Sequence, residues 1–193
     1  MIPNILIIDD CVSKAYQDAI ESTIVQNLDL PWYYSPTATE DNLMGTSDSY
    51  GFSHGFFNPH KGGKTSDYTD FLMPLCFEGA DKISFYVNTI LNGRIFMTLP
   101  QVEKTKHNRL HTDSFEDHLV CLYYVNDSTG PTYITNFTNK EVNSVDVNNI
   151  EIRDYQQIVH PKKGRMVFFS GQHYHASSNP EVDRRCIINF NVR

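Results

Sequence analysis

His111-Thr112-Asp113 is the stretch on which the interpretation of this chain depends. In an extended backbone, residues i and i+2 project to the same face, so His111 and Asp113 can offer an imidazole nitrogen and a carboxylate oxygen to one point. One more histidine would complete a three-residue metal site. The sequence offers it about sixty residues later, where His173 and His175 are also two positions apart.

Two histidines and one carboxylate on one side of a metal ion leave the opposite coordination positions open. Non-haem Fe(II) enzymes use this arrangement to bind a cosubstrate and dioxygen. A short metal motif alone is weak evidence. This chain, however, has four features in order: His111-x-Asp113, a β-rich run, a second histidine at 173 or 175, and the pair Arg184-Arg185. This conjunction predicts an iron-dependent oxygenase.

Two other histidines, His54 and His60, have no carboxylate two residues away. We expect them to be loop or hydrogen-bonding histidines rather than ligands. They lie between residues 32 and 64, a stretch rich in aromatic residues, Gly, Ser, Asn and Pro, where we expect hairpins and long loops. Because long loops in compact domains are often functional, this stretch is a candidate substrate-facing lid.

Length and charge narrow the class of protein. The 193 residues suffice for one domain with a substantial core, and we expect residues 1–193 to form a single domain. The formal net charge of −7 argues against non-specific binding to nucleic acid. The densest basic stretch, Lys162-Lys163-Gly164-Arg165, is flanked by turn residues and is expected to be a solvated turn between two strands.

The four cysteines are far apart in the sequence and form no Cys-x-x-Cys pair. The first residues show no signal-peptide pattern, and no stretch predicts a membrane span. We therefore expect an intracellular, cytoplasmic protein without a membrane partner. Its cysteines are expected to be buried apolar side chains rather than disulfides.

Hydrophobic periodicity predicts a change of structure near residue 94. A short strand is expected over residues 4–9, and helices over 12–28, 67–77 and 83–91. Later β-rich runs, separated by turn residues, predict strands at 94–100, 118–126, 132–137, 166–170 and 185–192. The sequence thus predicts helices and loops over residues 1–93 that support the sheet, and an all-β core over residues 94–193 that contains the metal site.

Three further stretches accompany the ligand pattern: Cys121-Leu122-Tyr123-Tyr124-Val125-Asn126, Gly130-Pro131-Thr132 and Phe168-Phe169-Ser170-Gly171. With them, the chain resembles the Fe(II)/2-oxoglutarate-dependent dioxygenases, in particular their prolyl-4-hydroxylase-like branch. The pattern of that family is His-x-Asp, a distal histidine and a basic residue about ten positions later. The resemblance covers about residues 94 to 193. It implies a mainly β fold, a double-stranded β-helix (jelly roll) with N-terminal helices packed on its outside.

The resemblance also implies roles for five residues. His111, Asp113 and His175 would bind Fe(II), and Arg185 would pair with the distal carboxylate of 2-oxoglutarate. A buried carboxylate needs a permanent cation, and arginine can hold it through two parallel hydrogen bonds. Tyr124 matches a tyrosine that donates its hydroxyl to the same carboxylate, and strand alternation lets its side chain point inward.

Two pairs of neighbours compete for these roles. His173 and His175 could share a face, but the ten-residue interval to Arg185 and the spacing in the family favour His175. His173 is then a solvent-exposed residue or one that supports a ligand. Arg184 competes with Arg185, but strand alternation puts it on the opposite side, and the run that begins at Arg185 aligns better with the last strand of the family.

The activity that the resemblance implies is hydroxylation of a C–H bond. It would consume O2 and convert 2-oxoglutarate to succinate and CO2 at the Fe(II) centre, with ascorbate as a candidate reductant. Such chemistry requires no protein nucleophile. The sequence agrees, since it shows no nucleophile elbow, phosphate loop or catalytic cysteine pattern.

The favoured substrate is a prolyl residue in a peptide or protein, because the stretch at residues 122–126 is most like that of prolyl hydroxylases. An alternative uses the same cofactors on a free amino acid or small metabolite. An alternative of another class is a non-redox, metal-binding cupin-like module, which would leave Arg185 without a purpose. The nucleic-acid-repair branch is disfavoured, since Ile187 and Asn189 stand where its last strand typically has Asn and Thr.

Overall fold

The computed structural model describes residues 5–37, 49–101, 106–140 and 154–193. Within them the chain is mainly β, with two α-helices. The elements are β1 (Leu6–Ile8), α1 (Lys14–Glu21), a π-helical turn (Ser22–Gln26), β2 (Tyr33–Ser35), β3 (Gly51–Asn58), a 3-10 turn (Pro59–Lys61), β4 (Gly63–Lys64), α2 (Thr69–Lys82), β5 (Ile90–Thr98), β6 (Leu119–Tyr124), β7 (Thr132–Thr138), β8 (Tyr155–Val159), β9 (Met166–Ser170), β10 (His173–Ser177) and β11 (Arg185–Val192).

The strands form two antiparallel sheets. The large sheet has the order β1-β9-β6-β11-β5-β3-β2, with β4 paired to β3, and the small sheet has the order β10-β7-β8. One apolar cluster contains residues of both sheets, including Val120 and Phe169 from the large sheet and Ile134 and Val159 from the small one. The two sheets therefore face each other, and the space between them holds the site described below.

Successive side chains of strand β6 point to opposite sides of the sheet and belong to two different apolar clusters. Leu119, Cys121 and Tyr123 belong to the cluster that contains the helix residues. Val120, Leu122 and Tyr124 belong to the cluster between the sheets. The inward orientation predicted for Tyr124 is thus confirmed.

The first predicted helix is confirmed as α1 and the π-helical turn that follows it. Ser13 caps α1, because its hydroxyl accepts a hydrogen bond from the Tyr16 backbone N–H at 3.3 Å. Ile20 and Ile24 are almost fully buried and attach this segment to the core. The helix predicted over 67–77 is also present, but it begins at Thr69 and continues to Lys82. Gly79 lies where this helix packs against β9, because a Cβ atom at that position would meet the side chain of Met166.

The helix predicted over residues 83–91 is wrong. Ser84 has a left-handed φ of 53°, and β5 already begins at Ile90. Phe85 and Val87 are partly buried and pack against the core. The backbone N–H groups of Asn88 and Thr89 donate to the Arg193 carbonyl. Tertiary contacts therefore override the helical spacing of these apolar residues.

Residues 1–93 also contribute strands to the large sheet, besides the helices and loops predicted there. Strands β1 to β4 belong to the large sheet, and β3 pairs with β5 from Phe52 to Phe57. The predicted strand over 4–9 is confirmed as β1, which forms one edge of that sheet. Part of the candidate lid, residues 38–48, lies outside the described residues. Strands β8 and β10 were not predicted.

The basic stretch at residues 162–165 is a turn between β8 and β9, as predicted, with a positive φ of 79° at Gly164. Its charges are paired at the surface: Lys162 and Arg165 with Asp9, and Lys163 with Asp18 and Glu21. Its basic side chains thus connect the turn to α1 and to the end of β1.

The cysteines are free thiols and are buried, as predicted. Burial raises the pKa of the Cys11 thiol to about 11 and that of Cys186 to about 12. In the described part of the chain, neither helix is long and apolar enough to cross a membrane.

Candidate metal centre

Two segments bring the predicted ligands together. His111 forms an isolated antiparallel bridge with His175 of β10. The backbone N–H of His111 donates to the His175 carbonyl at 3.0 Å, and the N–H of His175 donates to the His111 carbonyl at 2.9 Å. Because residues directly opposite each other share a face, both imidazoles lie side by side, with ring centroids 4.5 Å apart.

The side chains of His111, Asp113 and His175 converge on one point, with candidate ligand atoms that all lie within 4.8 Å of one another. The Nε2 atoms of His111 and His175 are 3.5 and 3.7 Å from Asp113 Oδ1. Among the residues that the structure describes, this is the only such group of three histidine, cysteine or carboxylate side chains. The two halves of the sequence pattern therefore meet in one cluster.

Backbone carbonyls orient both imidazoles. His111 Nδ1 lies 3.2 Å from the Arg109 carbonyl, and His175 Nδ1 lies 3.1 Å from the His173 carbonyl. A carbonyl accepts only from N–H, so each ring carries its proton on Nδ1 and directs the Nε2 lone pair towards Asp113. Burial and the neighbouring His111 lower the pKa of His175 to about 4. Its imidazole is thus neutral at physiological pH, as metal binding requires.

Two buried asparagines hold the carboxylate of Asp113. Asn189 Nδ2 and Asn191 Nδ2 donate to Asp113 Oδ2 at 3.2 and 3.0 Å. Oδ1 is left facing the two histidines. Burial alone would raise the pKa of Asp113, but its polar and charged surroundings, among them the Arg94 guanidinium, outweigh it and hold the pKa well below its usual value. The carboxylate is therefore ionised and has one oxygen directed at the cluster.

This donor set fits a divalent metal of the Fe(II) type. Two neutral imidazole nitrogens and one carboxylate oxygen on one side match the facial arrangement of non-haem iron sites. Further open positions would face the pocket that the three side chains line together with Arg94, Thr132 and Arg185, among other residues.

Replacement of Asn191 by leucine is expected to weaken divalent-metal binding by roughly 10–100-fold, the usual cost of losing a hydrogen-bond partner of a metal ligand. The physical reason is that Asp113 Oδ2 loses a donor and the carboxylate can turn. Anaerobic titration with Co(II), followed by its visible spectrum, measures this affinity. Asn126→Leu is the matched control, because Asn126 is also buried but bonds backbone groups of Asp127, Arg184 and Cys186. Equal metal affinity in both variants would contradict the role assigned to Asn191.

A buried cation lies in the same pocket. Arg185 is 2% exposed, its Nε donates to the Gly130 carbonyl and its Nη2 donates to Thr132 Oγ1, both at 2.8 Å. Burial lowers the pKa of Arg185, but a guanidinium stays charged in proteins. A permanent cation at the inner wall of a pocket can bind an anionic group of a ligand.

Tyr124 lies behind this arginine. Its hydroxyl donates to Thr132 Oγ1 at 2.7 Å, and the Arg185 guanidinium carbon lies 5.5 Å from its ring centroid. Burial raises the pKa of Tyr124, so the phenol keeps its proton. Tyr124 and Thr132 together orient Arg185; direct contact of Tyr124 with a cosubstrate stays a prediction.

The structure separates the residues that competed in the sequence. His175 points into the cluster, whereas His173 Nδ1 lies 3.0 Å from the Thr135 carbonyl and is not in the cluster. Arg184 is directed away from the pocket, where it bonds Asp183 and the Val25 carbonyl. Both preferences taken from the sequence agree with this placement.

His54 and His60 are not in the cluster either. His54 is buried, and its ring nitrogens lie 2.7 Å from the Pro31 carbonyl and 2.7 Å from Ser66 Oγ. His60 is exposed in the 3-10 turn. The structure thus agrees with the prediction that these two histidines are not ligands.

Sequence reasoning missed Asn191 and Arg94. The signal for Asn191 was its i+2 relation to Asn189 in the last strand, which places both carboxamides on one face. Arg94 could not be found this way, since only the pairing of β5 with β11 places it opposite Asn189 and close to the metal centre.

No protein-family model and no curated protein sequence matches the chain. Solved structures do match in fold. The viral collagen prolyl hydroxylase of Paramecium bursaria Chlorella virus-1 is 13% identical, with a TM-score of 0.58 over 99% of this chain and 96% of that one. A prolyl-4-hydroxylase of Pseudomonas putida is 11% identical, with a TM-score of 0.60 over 98% of this chain and 92% of that one.

An oxidoreductase of the 2OG-Fe(II) oxygenase family from Burkholderia pseudomallei is 10% identical, with a TM-score of 0.66 over 98% of this chain and 84% of that one. These similarities establish the fold, the double-stranded β-helix of the 2OG-Fe(II) oxygenases. The predicted fold class, including the helices packed outside the jelly roll, is therefore confirmed.

Proposed function

We propose that this chain is an Fe(II)- and 2-oxoglutarate-dependent dioxygenase that hydroxylates a C–H bond. The observation that supports this most strongly is the combination of two features in one pocket. One is the cluster of His111, Asp113 and His175, and the other is the buried cation of Arg185. The shared fold with solved 2OG-Fe(II) oxygenases agrees with the proposal.

In this proposal, His111, Asp113 and His175 hold Fe(II), and Arg185 holds the distal carboxylate of 2-oxoglutarate. When bound, the metal and its cosubstrate supply the oxidative chemistry, in which O2 is consumed, succinate and CO2 are released and one oxygen atom enters the substrate. The side chains of the protein bind the metal and 2-oxoglutarate, orient them and shield them from solvent. Thr132 and Tyr124 fix Arg185, as described above.

Apolar side chains complete the pocket. Phe96, Leu122 and Ile187 line it beside the charged and polar groups. Such walls exclude water and strengthen the electrostatic contacts inside. They also offer an apolar surface to the part of the substrate that carries the reacting C–H bond.

For the substrate we propose a prolyl residue in a peptide or protein. The stretch at residues 122–126 supports this, and two of the structures that share the fold are named prolyl hydroxylases. A free amino acid or small metabolite is the alternative with the same cofactors. A non-redox cupin-like module is disfavoured, because a buried arginine in the metal pocket has no purpose without an anionic ligand.

A single domain, a cytoplasmic location and the absence of nucleic-acid and membrane partners stay predictions.

The proposal is tested by turnover of 2-oxoglutarate with Fe(II), ascorbate and a panel of prolyl peptides, free amino acids and nucleosides. We expect succinate release that depends on one class of substrate and matches the hydroxylated product in amount. Asp113→Ala is the matched control and should release none. Substrate-dependent succinate from nucleosides alone would contradict the proposed substrate class, and no release by the Fe(II)-loaded chain above that control would contradict the proposed activity.

A further inference from the structure

We propose that Ser177 donates a hydrogen bond to the distal carboxylate of 2-oxoglutarate, and that Asn108 orients the Ser177 hydroxyl for this contact. This inference rests on the proposed function, in which Arg185 holds the same carboxylate. It departs from what the family resemblance implies, since the resemblance assigns the hydroxyl donor to Tyr124.

Ser177 lies at the end of the pocket that contains Arg185. It is directly opposite Thr132 in the β10–β7 ladder, and both residues line the pocket. Residues directly opposite each other share a face of the sheet. Since Thr132 Oγ1 accepts a hydrogen bond from Arg185 Nη2 at 2.8 Å, the Ser177 hydroxyl is next to the residue that fixes the buried cation.

Ser177 is also at a suitable distance from the metal centre. It follows the metal ligand His175 by two residues on the same strand, so the two side chains share a face and are roughly 7 Å apart along it. A ligand that binds the metal with one end can therefore reach Ser177 with the other. In 2-oxoglutarate, four carbon–carbon bonds of about 1.5 Å each separate the two carboxylates, which suits this distance.

Asn108 fixes the direction of the hydrogen bond that Ser177 makes with it. Asn108 Oδ1 accepts from the backbone N–H of Ser49 at 3.2 Å, and that N–H can only donate. The carboxamide therefore turns its NH2 group to Ser177, and Asn108 Nδ2 donates to Ser177 Oγ at 3.1 Å. Because Ser177 Oγ accepts in this bond, its own proton can be donated to a ligand in the pocket.

The backbone around Asn108 holds this carboxamide in place. Asn108 is 2% exposed, and its backbone N–H donates to the Ser177 carbonyl at 2.8 Å. His107 Nδ1 lies 2.6 Å from the Asn108 carbonyl and donates to it, so His107 Nε2 accepts from the Tyr155 hydroxyl at 2.6 Å. Asn108 is therefore tied to both β8 and β10, and the Ser177 hydroxyl is oriented before a ligand binds.

Tyr124 is placed differently. It is fully buried, and it is not among the described residues that line the pocket. Its hydroxyl donates to Thr132 Oγ1 at 2.7 Å, so its proton is used to hold the residue that fixes Arg185. Ser177 lines the pocket and is partly exposed. The hydroxyl that a ligand beside Arg185 meets is therefore that of Ser177.

The test measures anaerobic binding of 2-oxoglutarate to the Fe(II)-loaded protein by calorimetry. We expect Ser177→Ala to weaken this binding by about tenfold or more, the usual effect of losing a hydrogen bond to a charged group. Ser177→Cys should lose as much, because a thiol fills similar space but is a weak donor. Tyr124→Phe should lose less, since Arg185 keeps its bonds to Gly130 and Thr132.

Ser178→Ala is the matched control and should bind 2-oxoglutarate like the wild-type protein. Ser178 is the next residue, but its hydroxyl donates to the Pro131 carbonyl at 3.4 Å, and it is not among the described residues that line the pocket. Anaerobic Co(II) titration is a second readout. It should give wild-type metal affinity for Ser177→Ala, which a general disturbance of β10 and His175 would not.

Asn108→Asp tests the orienting role. An aspartate of the same shape still accepts from the Ser49 N–H, but its second oxygen accepts from the Ser177 hydroxyl, whose proton is then lost to the ligand. We expect this variant to weaken 2-oxoglutarate binding when Ser177 is present, and to cause a much smaller further loss in Ser177→Ala. A general effect of the added charge would be equal in both backgrounds, so the double-mutant cycle isolates the contact.

The outcomes separate this inference from the proposed function. Wild-type 2-oxoglutarate affinity in Ser177→Ala, or a larger loss in Tyr124→Phe than in Ser177→Ala, overturns the role of Ser177 even if 2-oxoglutarate binds at the iron. A parallel loss of Co(II) affinity in Ser177→Ala overturns it as well, and equal effects of Asn108→Asp in both backgrounds overturn the role of Asn108. If the loaded wild-type protein binds no 2-oxoglutarate at all, the proposed function itself is overturned, and this inference with it.

Discussion

Replacement of His175 by alanine is expected to abolish Fe(II) binding, whereas replacement of His173 by alanine should leave it nearly unchanged. His175 is 6% exposed and supplies one of three groups within 4.8 Å of one another. Its loss leaves two ligands, so the affinity should fall by more than the roughly 100-fold that follows loss of a supporting partner. His173 is two residues away on the same strand, and only its backbone carbonyl orients His175.

Anaerobic Fe(II) titration, with metal content measured after gel filtration, compares the two variants. Thermal unfolding of both apo proteins shows whether either change alters the fold. Retained iron in His175→Ala together with lost iron in His173→Ala would reverse the ligand assignment.

Replacement of Arg185 by glutamine is expected to abolish succinate production while Fe(II) remains bound. The variant removes the only buried permanent cation among the described residues that line the pocket. Since hydrogen bonds to charged groups contribute about 1.5–3 kcal/mol each, loss of a bidentate pair should weaken 2-oxoglutarate binding by roughly 100-fold or more.

Equilibrium binding of 2-oxoglutarate to the Fe(II)-loaded variant checks this prediction separately from turnover. Arg185→Lys keeps a cation and should retain part of the affinity. Arg184→Gln is the matched control on the opposite side of the strand, where the side chain bonds Asp183 and the Val25 carbonyl. Normal 2-oxoglutarate affinity in Arg185→Gln would show that another group holds the carboxylate.

Much of the metal centre could be predicted because its geometry is local. The i+2 relation of His111 and Asp113 depends only on an extended backbone. The choice of His175 over His173 and of Arg185 over Arg184 depended on strand alternation and on the spacing and last strand of the family that the chain resembles, and the placement of these side chains agrees with both. The strands over 166–170 and 185–192 were also predicted with the observed bounds, because apolar β-rich runs end at turn residues there.

What the sequence did not reveal depends on contacts between distant segments. The apolar spacing over residues 83–91 is compatible with a helix, but the backbone of residues 88 and 89 is hydrogen-bonded to Arg193 and β5 begins at Ile90, so no helix forms there. Strand β10 was missed because its polar sequence, His173–Ser177, becomes a strand through pairing with β7. Arg94 and Asn191 acquire their positions beside Asp113 only through the ladder of β5, β11 and β6.

The central claim is that iron and 2-oxoglutarate bind together in one pocket. Anaerobic addition of Fe(II) and 2-oxoglutarate to the intact chain, followed by visible absorption spectroscopy, tests it most directly. We predict a metal-to-ligand charge-transfer band that requires both additions and is lost in His175→Ala. Absence of the band from the wild-type protein with both present would contradict the account.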